Sequence, residues 1–321
     1  MKVVRVHNFG GPEVLSYEEV PDPVPAATEL LVKVAAAGVN FIDIYQRSGL
    51  YPGPLPRVLG SEGAGEVVAC GEAVTGFRPG ERVAYAGVSG AYAELHAVPA
   101  AKAVLVTAEI AEETAAAIML QGLTAHYLAR STFPASSGHF CLVHAGAGGV
   151  GQLLIQLLKS AGAIVITTVS SAAKAELARA RGADEVVDYT QTNFVDAVAR
   201  VSNGRGADVV YDSVGRDTFE ESLKALAPRG MLVSFGQSSG PVGPIDPLQL
   251  GERSLYLTRP RLDHYIARRD ELEGRAADLF QQLTAGTLKV EISRTLPLAE
   301  AAVAHAALAA RETTGKVLLL P

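Results

Sequence analysis

The fold of this 321-residue chain is decided by one stretch, Phe140-Cys141-Leu142-Val143-His144-Ala145-Gly146-Ala147-Gly148-Gly149-Val150-Gly151. It opens with an apolar run typical of a buried strand, and the residues after it have the apolar spacing of a helix. Glycines between a strand and a helix allow a sharp turn and a close approach of the backbone to a ligand. The free N–H groups at the helix start can then bind a diphosphate. The stretch predicts a dinucleotide-binding site formed by Gly146, Gly148, Gly149, Val150 and Gly151.

Strands and helices alternate on the C-terminal side of this stretch. The sequence predicts strands at 140–145, 163–169, 185–189, 207–211, 231–235 and 254–258, and helices at 150–161, 172–181, 193–201 and 217–225. Near-continuous apolar strands separated by amphipathic helices are typical of a parallel sheet that is covered on both faces. We therefore predict an α/β protein that contains a doubly wound Rossmann domain.

The end of the second strand of this domain indicates which dinucleotide binds. Enzymes that use NAD carry an Asp or Glu there, which binds the 2′-hydroxyl of the adenosine ribose. Here the chain continues as Ser170-Ser171-Ala172-Ala173-Lys174, without a carboxylate. The two hydroxyls can donate to a phosphate and Lys174 can neutralise it, so NADPH is expected rather than NADH. On its own, Lys174 could equally be a solvated helix residue.

The first 120 residues have a different pattern, with short strands separated by turns. Strands are predicted at 2–7, 29–36, 65–69, 82–86 and 91–98, which fits a mostly antiparallel β domain. A helix at 111–128 connects this domain to the Rossmann domain. After Leu262 a helix, a strand, a second helix and a last strand at 316–320 are expected to pack back on the β domain. The predicted domains are 1–122 with 262–321, and 123–261.

The composition excludes several classes of protein. With 48% hydrophobic and 19% charged residues, 32 Gly and 17 Pro, the chain is not disordered, collagen-like or a coiled coil. A net charge of −6 and the absence of Trp disfavour nucleic acid as the main partner. The two cysteines, Cys70 and Cys141, can form neither a disulfide framework nor a four-thiolate zinc site. No signal peptide and no membrane-spanning run is recognised, so we expect a cytoplasmic protein without a membrane partner.

Several blocks of the sequence resemble one protein family. They are 40–52, 138–139, 145–151 with Gln156 and Lys159, 211–217, 234–240 and 315–321. Through them the whole chain resembles the zinc-free quinone oxidoreductase and zeta-crystallin branch of the medium-chain dehydrogenases/reductases. The resemblance implies a GroES-like catalytic domain joined to the Rossmann domain, NADPH as cofactor and a quinone-like small-molecule acceptor. It also implies a homodimer that extends the Rossmann sheet through the strand at 254–258.

The zinc alcohol dehydrogenase branch of the same family differs at its metal site. That branch has Cys where this chain has Asn40, His where it has Ser61, and a second Cys near Gln121. Because these three residues are not an adequate set of zinc ligands, a metal-free protein is expected. Its acceptor should then be one that takes hydride without a Lewis acid, such as a conjugated carbonyl compound. Glu62 is expected to pack or to hydrogen-bond within its own turn.

The resemblance also implies a set of site residues. Tyr51 and Tyr45 are the best proton donors among them, although either could instead pack under the proline-rich loop 51–56. The implied catalytic residues are Tyr51, Tyr45, Asn40 and Asp43, and Thr124 is implied in substrate binding. Phe235 and Ser238 are expected beside the nicotinamide half of the cofactor. The 2′-phosphate is expected to be bound by Lys174, Tyr189 and Arg311, together with Ser170 and Ser171.

Two other functions stay open. Zinc-free relatives also reduce the carbon–carbon double bonds of enones or enoyl thioesters, and a tyrosine at position 51 does not discriminate between these substrates. The second alternative is a crystallin-like or RNA-binding role. The absence of a basic patch in the sequence argues against RNA binding. His144 ends a buried strand and is interpreted as structural, and neither cysteine is assigned a nucleophilic role.

Overall fold

The computed structural model describes residues 1–321, which divide into two compact units. The first unit comprises residues 1–123 and 266–321, and the second comprises residues 124–265. The C-terminal segment thus returns to the unit in which the chain begins. The boundaries drawn from the sequence lie one residue before the first crossing and four residues before the second.

The first unit is built mainly from β-strands. Its strands are β1 (Lys2–Val6), β2 (Leu15–Glu19), β3 (Glu29–Val39), β4 (Arg57–Val58), β5 (Glu62–Cys70), β6 (Arg82–Ala86), β7 (Leu95–Pro99), β8 (Ala103–Leu105), β15 (Ile292–Pro297) and β16 (Lys316–Leu320). Its helices are α1 (Phe41–Arg47), α9 (Arg269–Thr284) and α10 (Ala301–Ala309), and α2 (Glu112–Tyr127) runs through the first crossing and ends in a π-helical turn, Leu128–Thr132.

Strand β3 organises this unit because it pairs antiparallel with β5, β7 and β16. The complete sheet has seven strands in the order β15-β16-β3-β5-β6-β8, with β7 beside β3, and a smaller sheet has the order β2-β1-β4. Side chains such as Leu30, Val32, Val67 and Leu319 are buried between these strands. Burial of each such side chain contributes about 1.5 to 3 kcal/mol, so the last strand is part of the core.

The second unit is a parallel sheet with helices. Its strands are β9 (Phe140–Val143), β10 (Ile164–Val169), β11 (Glu185–Asp188), β12 (Ala207–Asp212), β13 (Leu226–Ser234) and β14 (Tyr256–Thr258). Its helices are α3 (Gly149–Ser160), α4 (Ala172–Ala180), α5 (Phe194–Val201), α6 (Phe219–Ala225), α7 (Leu248–Gly251) and α8 (Leu262–Tyr265).

The strand order of the second unit is β11-β10-β9-β12-β13-β14, and every neighbouring pair is parallel. The carboxyl ends of all six strands therefore lie at one edge of the sheet. The strand order reverses between β9 and β12, which is where doubly wound sheets bind their ligands. The predicted α/β fold, with a mostly-β part and a Rossmann sheet, is confirmed.

The predicted elements differ from the observed ones where tertiary contacts overrule the local pattern. The strand expected at 91–98 begins only at Leu95, because Tyr92 lies in a bend that bonds to the backbones of Val4 and Leu59. Strand β13 begins five residues earlier than predicted. The sequence Pro228-Arg229-Gly230 resembles a turn, and Arg229 does adopt a φ of +64°, but the strand continues through it as an irregularity.

Strands β2, β4 and β8 were missed, because each is short and lacks a buried apolar alternation. None of the helices combines the length and the apolar character needed to cross a bilayer.

Candidate functional site

The glycine turn joins β9 to α3 at the reversal of strand order. The N–H of Gly146 donates to the carbonyl of Thr168 at 3.1 Å, and the N–H of Gly148 donates to that of Ala145 at 2.9 Å. A Cβ at Gly151 would collide with the carbonyl oxygen of Ala145, so the helix can start this close only with glycine. Helix α3 has 12 residues. As in any α-helix, the N–H groups of its first turn lack partners within the helix, and they carry a partial positive charge. The turn fits a diphosphate.

A buried polar network braces this turn from behind. The imidazole of His144 lies 3.0 Å from the hydroxyl of Thr168 and 2.9 Å from that of Ser222. Asp212 accepts from Thr218 at 2.8 Å and from the N–H groups of residues 214 and 215 at 2.7 and 3.0 Å. Burial lowers the pKa of His144, so the ring is neutral. His144 is therefore structural, as the sequence predicted, and it links the end of β10 to α6.

The predicted 2′-phosphate residues meet at the ends of β10 and β11. The Lys174 ammonium donates to the hydroxyl of Ser170 at 3.3 Å, and the Lys174 N–H donates to the hydroxyl of Ser171 at 3.4 Å, which caps α4. Tyr189 joins this corner through its N–H, which donates to the carbonyl of Val169 at 3.1 Å, and its side chain is 44% exposed. Two hydroxyls, an ammonium and an accessible ring thus stand together.

Phe235 and Ser238 lie in the loop after β13, at the same sheet edge as the glycine turn. The N–H of Phe235 donates to the carbonyl of Asp212 at 2.8 Å, and the N–H of Ser238 donates to that of Ser213 at 3.1 Å. Arg259, which the sequence analysis missed, donates to the carbonyls of residues 234 and 236 at 2.7 and 2.9 Å. The loop is therefore anchored on both sides.

Asn40 and Asp43 form a buried cluster at the start of α1 in the first unit. The Asn40 N–H donates to the Asp43 carboxylate at 2.9 Å, and that carboxylate also accepts from Ser61 at 2.7 Å and from Tyr92 at 3.1 Å. Burial raises the pKa of Asp43 to about 6, although these hydrogen bonds oppose the shift. Both side chains are enclosed by the protein, and the part of either in catalysis stays a prediction.

Tyr45 and Tyr51 stand together at the other end of α1. Their ring centroids are 5.2 Å apart in an edge-on arrangement, and the Tyr51 N–H donates to the Tyr45 carbonyl at 2.9 Å. Tyr45 is buried, whereas Tyr51 is 38% exposed. Tyr51 is therefore the more accessible residue of the pair. Thr124 is the buried first residue of the second unit, and Arg311 follows α10 in the first unit with a φ of +61°.

A fully buried lysine stands next to Asn40. The Lys316 ammonium contacts the Glu62 carboxylate, and both side chains have no exposed surface. It also donates to the Asn40 carboxamide oxygen at 2.9 Å, and the Gln121 amide donates to the same oxygen at 3.2 Å. The other Glu62 oxygen accepts from the N–H of Leu120 at 2.7 Å. Glu62 thus bonds to distant parts of the chain, and the expectation that it would act within its own turn is wrong.

Comparison with known proteins identifies the family. The alcohol dehydrogenase GroES-like domain matches residues 26–108, and the zinc-binding dehydrogenase family matches residues 149–281. A quinone oxidoreductase of Pseudomonas aeruginosa is 49% identical over 323 residues, which covers 100% of this chain and 99% of that protein. The chain is a medium-chain dehydrogenase/reductase of the quinone oxidoreductase branch. The resemblance noted in the sequence is confirmed.

Two further relatives bear on the site. The crystal structure of Escherichia coli quinone oxidoreductase complexed with NADPH has a TM-score of 0.98 and 43% identity, and covers 100% of both chains. A 2-haloacrylate reductase from Burkholderia is 40% identical over 326 residues, covering 98% of each chain.

One of the matched families is described as zinc-binding. The residues of this chain at the corresponding place do not fit a zinc ion. Asn40 and Gln121 offer amides that bond to each other, and Ser61 is bonded to Asp43. The ammonium of Lys316 has no lone pair to offer and repels a divalent cation. No group of three or more His, Cys, Asp or Glu side chains could hold a metal ion.

The sequence analysis missed several of these buried polar residues. Lys316 was seen only as the start of the last strand, although a charge that opens an otherwise apolar strand was a usable signal. His305 lies 3.0 Å from the Tyr92 hydroxyl and 3.2 Å from the guanidinium of Arg47, and burial lowers its pKa to about 3. No local pattern distinguishes His305 in its alanine-rich helix.

Proposed function

We propose that this chain is an NADPH-dependent quinone oxidoreductase, which reduces a quinone or a similar conjugated carbonyl compound without a metal ion. The observation that carries the proposal is the pairing of the open glycine turn with the Ser170–Lys174 corner, where an NAD enzyme would have an acid. The relatives named quinone oxidoreductase support the acceptor, and the Escherichia coli structure with NADPH supports the cofactor.

The second unit supplies the groups that bind the cofactor. When bound, NADPH provides a hydride from its nicotinamide ring. The N–H groups of Gly149, Val150 and Gly151 hold the diphosphate, with Gly146 and Gly148 allowing the close approach. We assign the 2′-phosphate to Ser170, Ser171, Lys174 and Tyr189, and the part of Arg311 in binding it stays a prediction from the sequence. The nicotinamide half is oriented by Phe235 and Ser238.

The first unit supplies the proton. Reduction of a carbonyl leaves a negative charge on its oxygen, which a positioned donor stabilises and then protonates. We assign this role to the hydroxyl of Tyr51, which is partly exposed and whose ring packs against that of Tyr45 with the centroids 5.2 Å apart. Thr124 binds the acceptor, and Asn40 and Asp43 hold the start of α1.

A second candidate function has an observation in its favour. The relative named 2-haloacrylate reductase has 40% identity with this chain, and a haloacrylate carries a carbon–carbon double bond next to a carboxylate. The same arrangement of cofactor and tyrosine would serve the reduction of that bond.

Steady-state rates separate these functions. NADPH and NADH are compared with 1,4-benzoquinone, 9,10-phenanthrenequinone, 2-chloroacrylate and crotonyl-CoA at one ionic strength. The proposal expects the highest kcat/KM for NADPH with a quinone. A higher kcat/KM for 2-chloroacrylate or for the thioester would replace the quinone by an activated alkene, and a preference for NADH would contradict the cofactor assignment.

We also propose a cytoplasmic homodimer that is joined along β14. This strand forms an edge of the six-stranded sheet, and its Tyr256 is 59% exposed. An open edge with an exposed aromatic side chain supports pairing with a second copy. Light scattering after size-exclusion chromatography should give twice the mass of 33.5 kDa, and Tyr256→Lys should give the monomer mass. A monomeric parent protein would refute this proposal.

A further inference from the structure

The buried ion pair Lys316–Glu62 is produced by the register of three adjacent strands. In the first unit, Val317 of β16 pairs with Val39 of β3, and Ala37 of β3 pairs with Gly63 of β5. Lys316 and Glu62 therefore flank β3 at Gly38, where a Cβ would collide with both side chains. A buried ion pair is weak evidence for added stability compared with well-packed apolar residues. Its effect should be sought in the groups that it holds.

The pair fixes the direction of a chain of amide hydrogen bonds. A carboxylate can only accept and an ammonium can only donate. The Asn40 amide nitrogen must therefore face Glu62, to which it donates at 2.6 Å, and its oxygen must face Lys316. The same oxygen takes the Gln121 amide nitrogen at 3.2 Å, which leaves the Gln121 oxygen as the unpartnered end of the chain. Asn40 cannot flip without placing like groups against both charges, and Gln121 cannot flip without placing its oxygen against the Asn40 oxygen.

The same chain of contacts reaches the tyrosine pair. Asn40 precedes α1, and its N–H bonds to Asp43 in the first turn at 2.9 Å. Tyr45 lies on this helix, and the Tyr51 N–H donates to the Tyr45 carbonyl at 2.9 Å. A displacement of Asn40 therefore moves α1, and with it Tyr45, to which the proposed proton donor Tyr51 is bonded.

We propose that Lys316 is a positioning residue whose buried ammonium replaces a metal ion as the resident cation of the first unit. It acts through Asn40, whose carboxamide it orients, and thereby fixes Gln121 and the start of α1. The structural part of this inference stands on the contacts alone, and its catalytic part rests on the proposed function. The cation is covalently attached and has no open coordination position, so it organises the site without acting as a Lewis acid.

The test removes both charges together. Lys316→Met alone would leave a buried, unpaired carboxylate, which destabilises proteins strongly. The double variant Lys316→Met/Glu62→Gln keeps similar volumes and leaves no buried charge, while the Asn40 amide loses its fixed orientation. The matched control is Lys33→Met, because Lys33 is an exposed lysine on β3 of the same unit.

Three measurements are compared between the double variant and the control. Hydrogen exchange of the segment 40–51 should be faster in the double variant, whereas exchange of the segment 146–160 should be unchanged. The Kd for NADPH should stay within about twofold of the parent value, and kcat with benzoquinone should fall about 10- to 100-fold, as for a misplaced catalytic group. Asn40→Ala should lower kcat similarly, and adding it to the double variant should cost little more.

The acid side of the kcat–pH profile is a further readout that a merely structural role would not move. We attribute that limb to the ionisation of Asp43. The charge of Lys316 has the largest effect of any neighbouring charge on the pKa of Asp43, which it lowers, so removing Lys316 and Glu62 together should shift the limb to higher pH. The other groups facing Asp43 are Ser61, Tyr92 and the Asn40 N–H, which hydrogen-bond to it. The charge of Arg57 also interacts with Asp43, and His305 contacts the Tyr92 hydroxyl.

Two outcomes would refute the proposal, and a third is decided by the Asn40→Ala variant. Unchanged exchange of the segment 40–51 would overturn it even if the parent enzyme reduced no quinone, because that measurement does not depend on turnover. A double variant that fails to fold or loses NADPH binding would make the pair a requirement of the fold. In that case Asn40→Ala decides, because it leaves the ion pair intact, and a parent-like kcat in that variant would also refute the positioning role.

Discussion

Replacement of Lys174 by alanine tests the cofactor assignment. The Lys174 ammonium lies 3.3 Å from the Ser170 hydroxyl, and both residues are half-buried. The segment from Ser170 to Lys174 contains no carboxylate. Two opposite charges about 4 Å apart attract by about 4 kcal/mol near a protein surface, and solvent reduces that figure here. A charge-assisted hydrogen bond contributes about 1.5 to 3 kcal/mol, so Lys174→Ala should raise the Kd for NADPH about 10- to 150-fold.

The assay is a fluorescence titration of both reduced cofactors with the parent protein and the variant. NADH lacks the 2′-phosphate, so its Kd should change by no more than about twofold, and added salt should reduce the NADPH preference of the parent protein. Arg179→Ala is the matched control, because Arg179 lies on the same helix with an exposed side chain paired to Glu176 at 2.6 Å. Equal losses for NADPH and NADH would refute the reasoning.

Four other changes test separate parts of the account. Asp43→Asn should remove a pH dependence: the folded pKa of about 6 exceeds the unfolded value, so Asp43 costs stability as pH rises from about 4 to above 6, by about 3 kcal/mol. Urea unfolding at several pH values should show this as a pH-dependent difference in the free energy of unfolding between the variant and the parent protein. Asp196→Asn is the control at an exposed position, and a difference that does not vary with pH would contradict the prediction. Gly151→Ala should abolish NADPH binding, because the new Cβ would collide with the backbone. The Cβ of Gly148→Ala would meet one oxygen at 3.2 Å, so this variant should weaken binding less. Equal affinities of the two variants in a titration would contradict the assignment of the glycine turn to the diphosphate. Tyr51→Phe should lower kcat about 100-fold or more with an unchanged Kd for NADPH, and an effect on KM alone would exclude Tyr51 as the proton donor. Dialysis against a chelator should leave the turnover rate unchanged, and a loss that zinc restores would disprove the metal-free reaction.

The cofactor half of the molecule could be predicted closely from the sequence. The apolar run 140–145, the glycine turn and the following helix need only local rules, because β9 and α3 are formed by consecutive residues. Ser170 and Lys174 could be paired in advance because they are four residues apart at the end of one strand and the start of one helix. Local chemistry and the repeated strand–helix pattern therefore carried most of that prediction.

The interior of the first unit could not be predicted in the same way. Lys316, Glu62, Asn40 and Gln121 come together through the registers of three strands and through α2, over separations of up to 276 residues. Their burial depends on how those strands align, which no local spacing encodes. The residues were identified as poor zinc ligands, but the cation among them was found only in the structure.

The most direct test of the central claim is a single turnover. The protein is mixed with an equimolar amount of NADPH in a buffer that contains a chelator, and 1,4-benzoquinone is added in a stopped-flow instrument that follows the nicotinamide absorbance. The account predicts that the bound NADPH is oxidised in one rapid phase, with one hydroquinone formed per nucleotide, and that Gly151→Ala abolishes this phase. Oxidation that occurs no faster than in the absence of protein, or only after zinc is added, would contradict it.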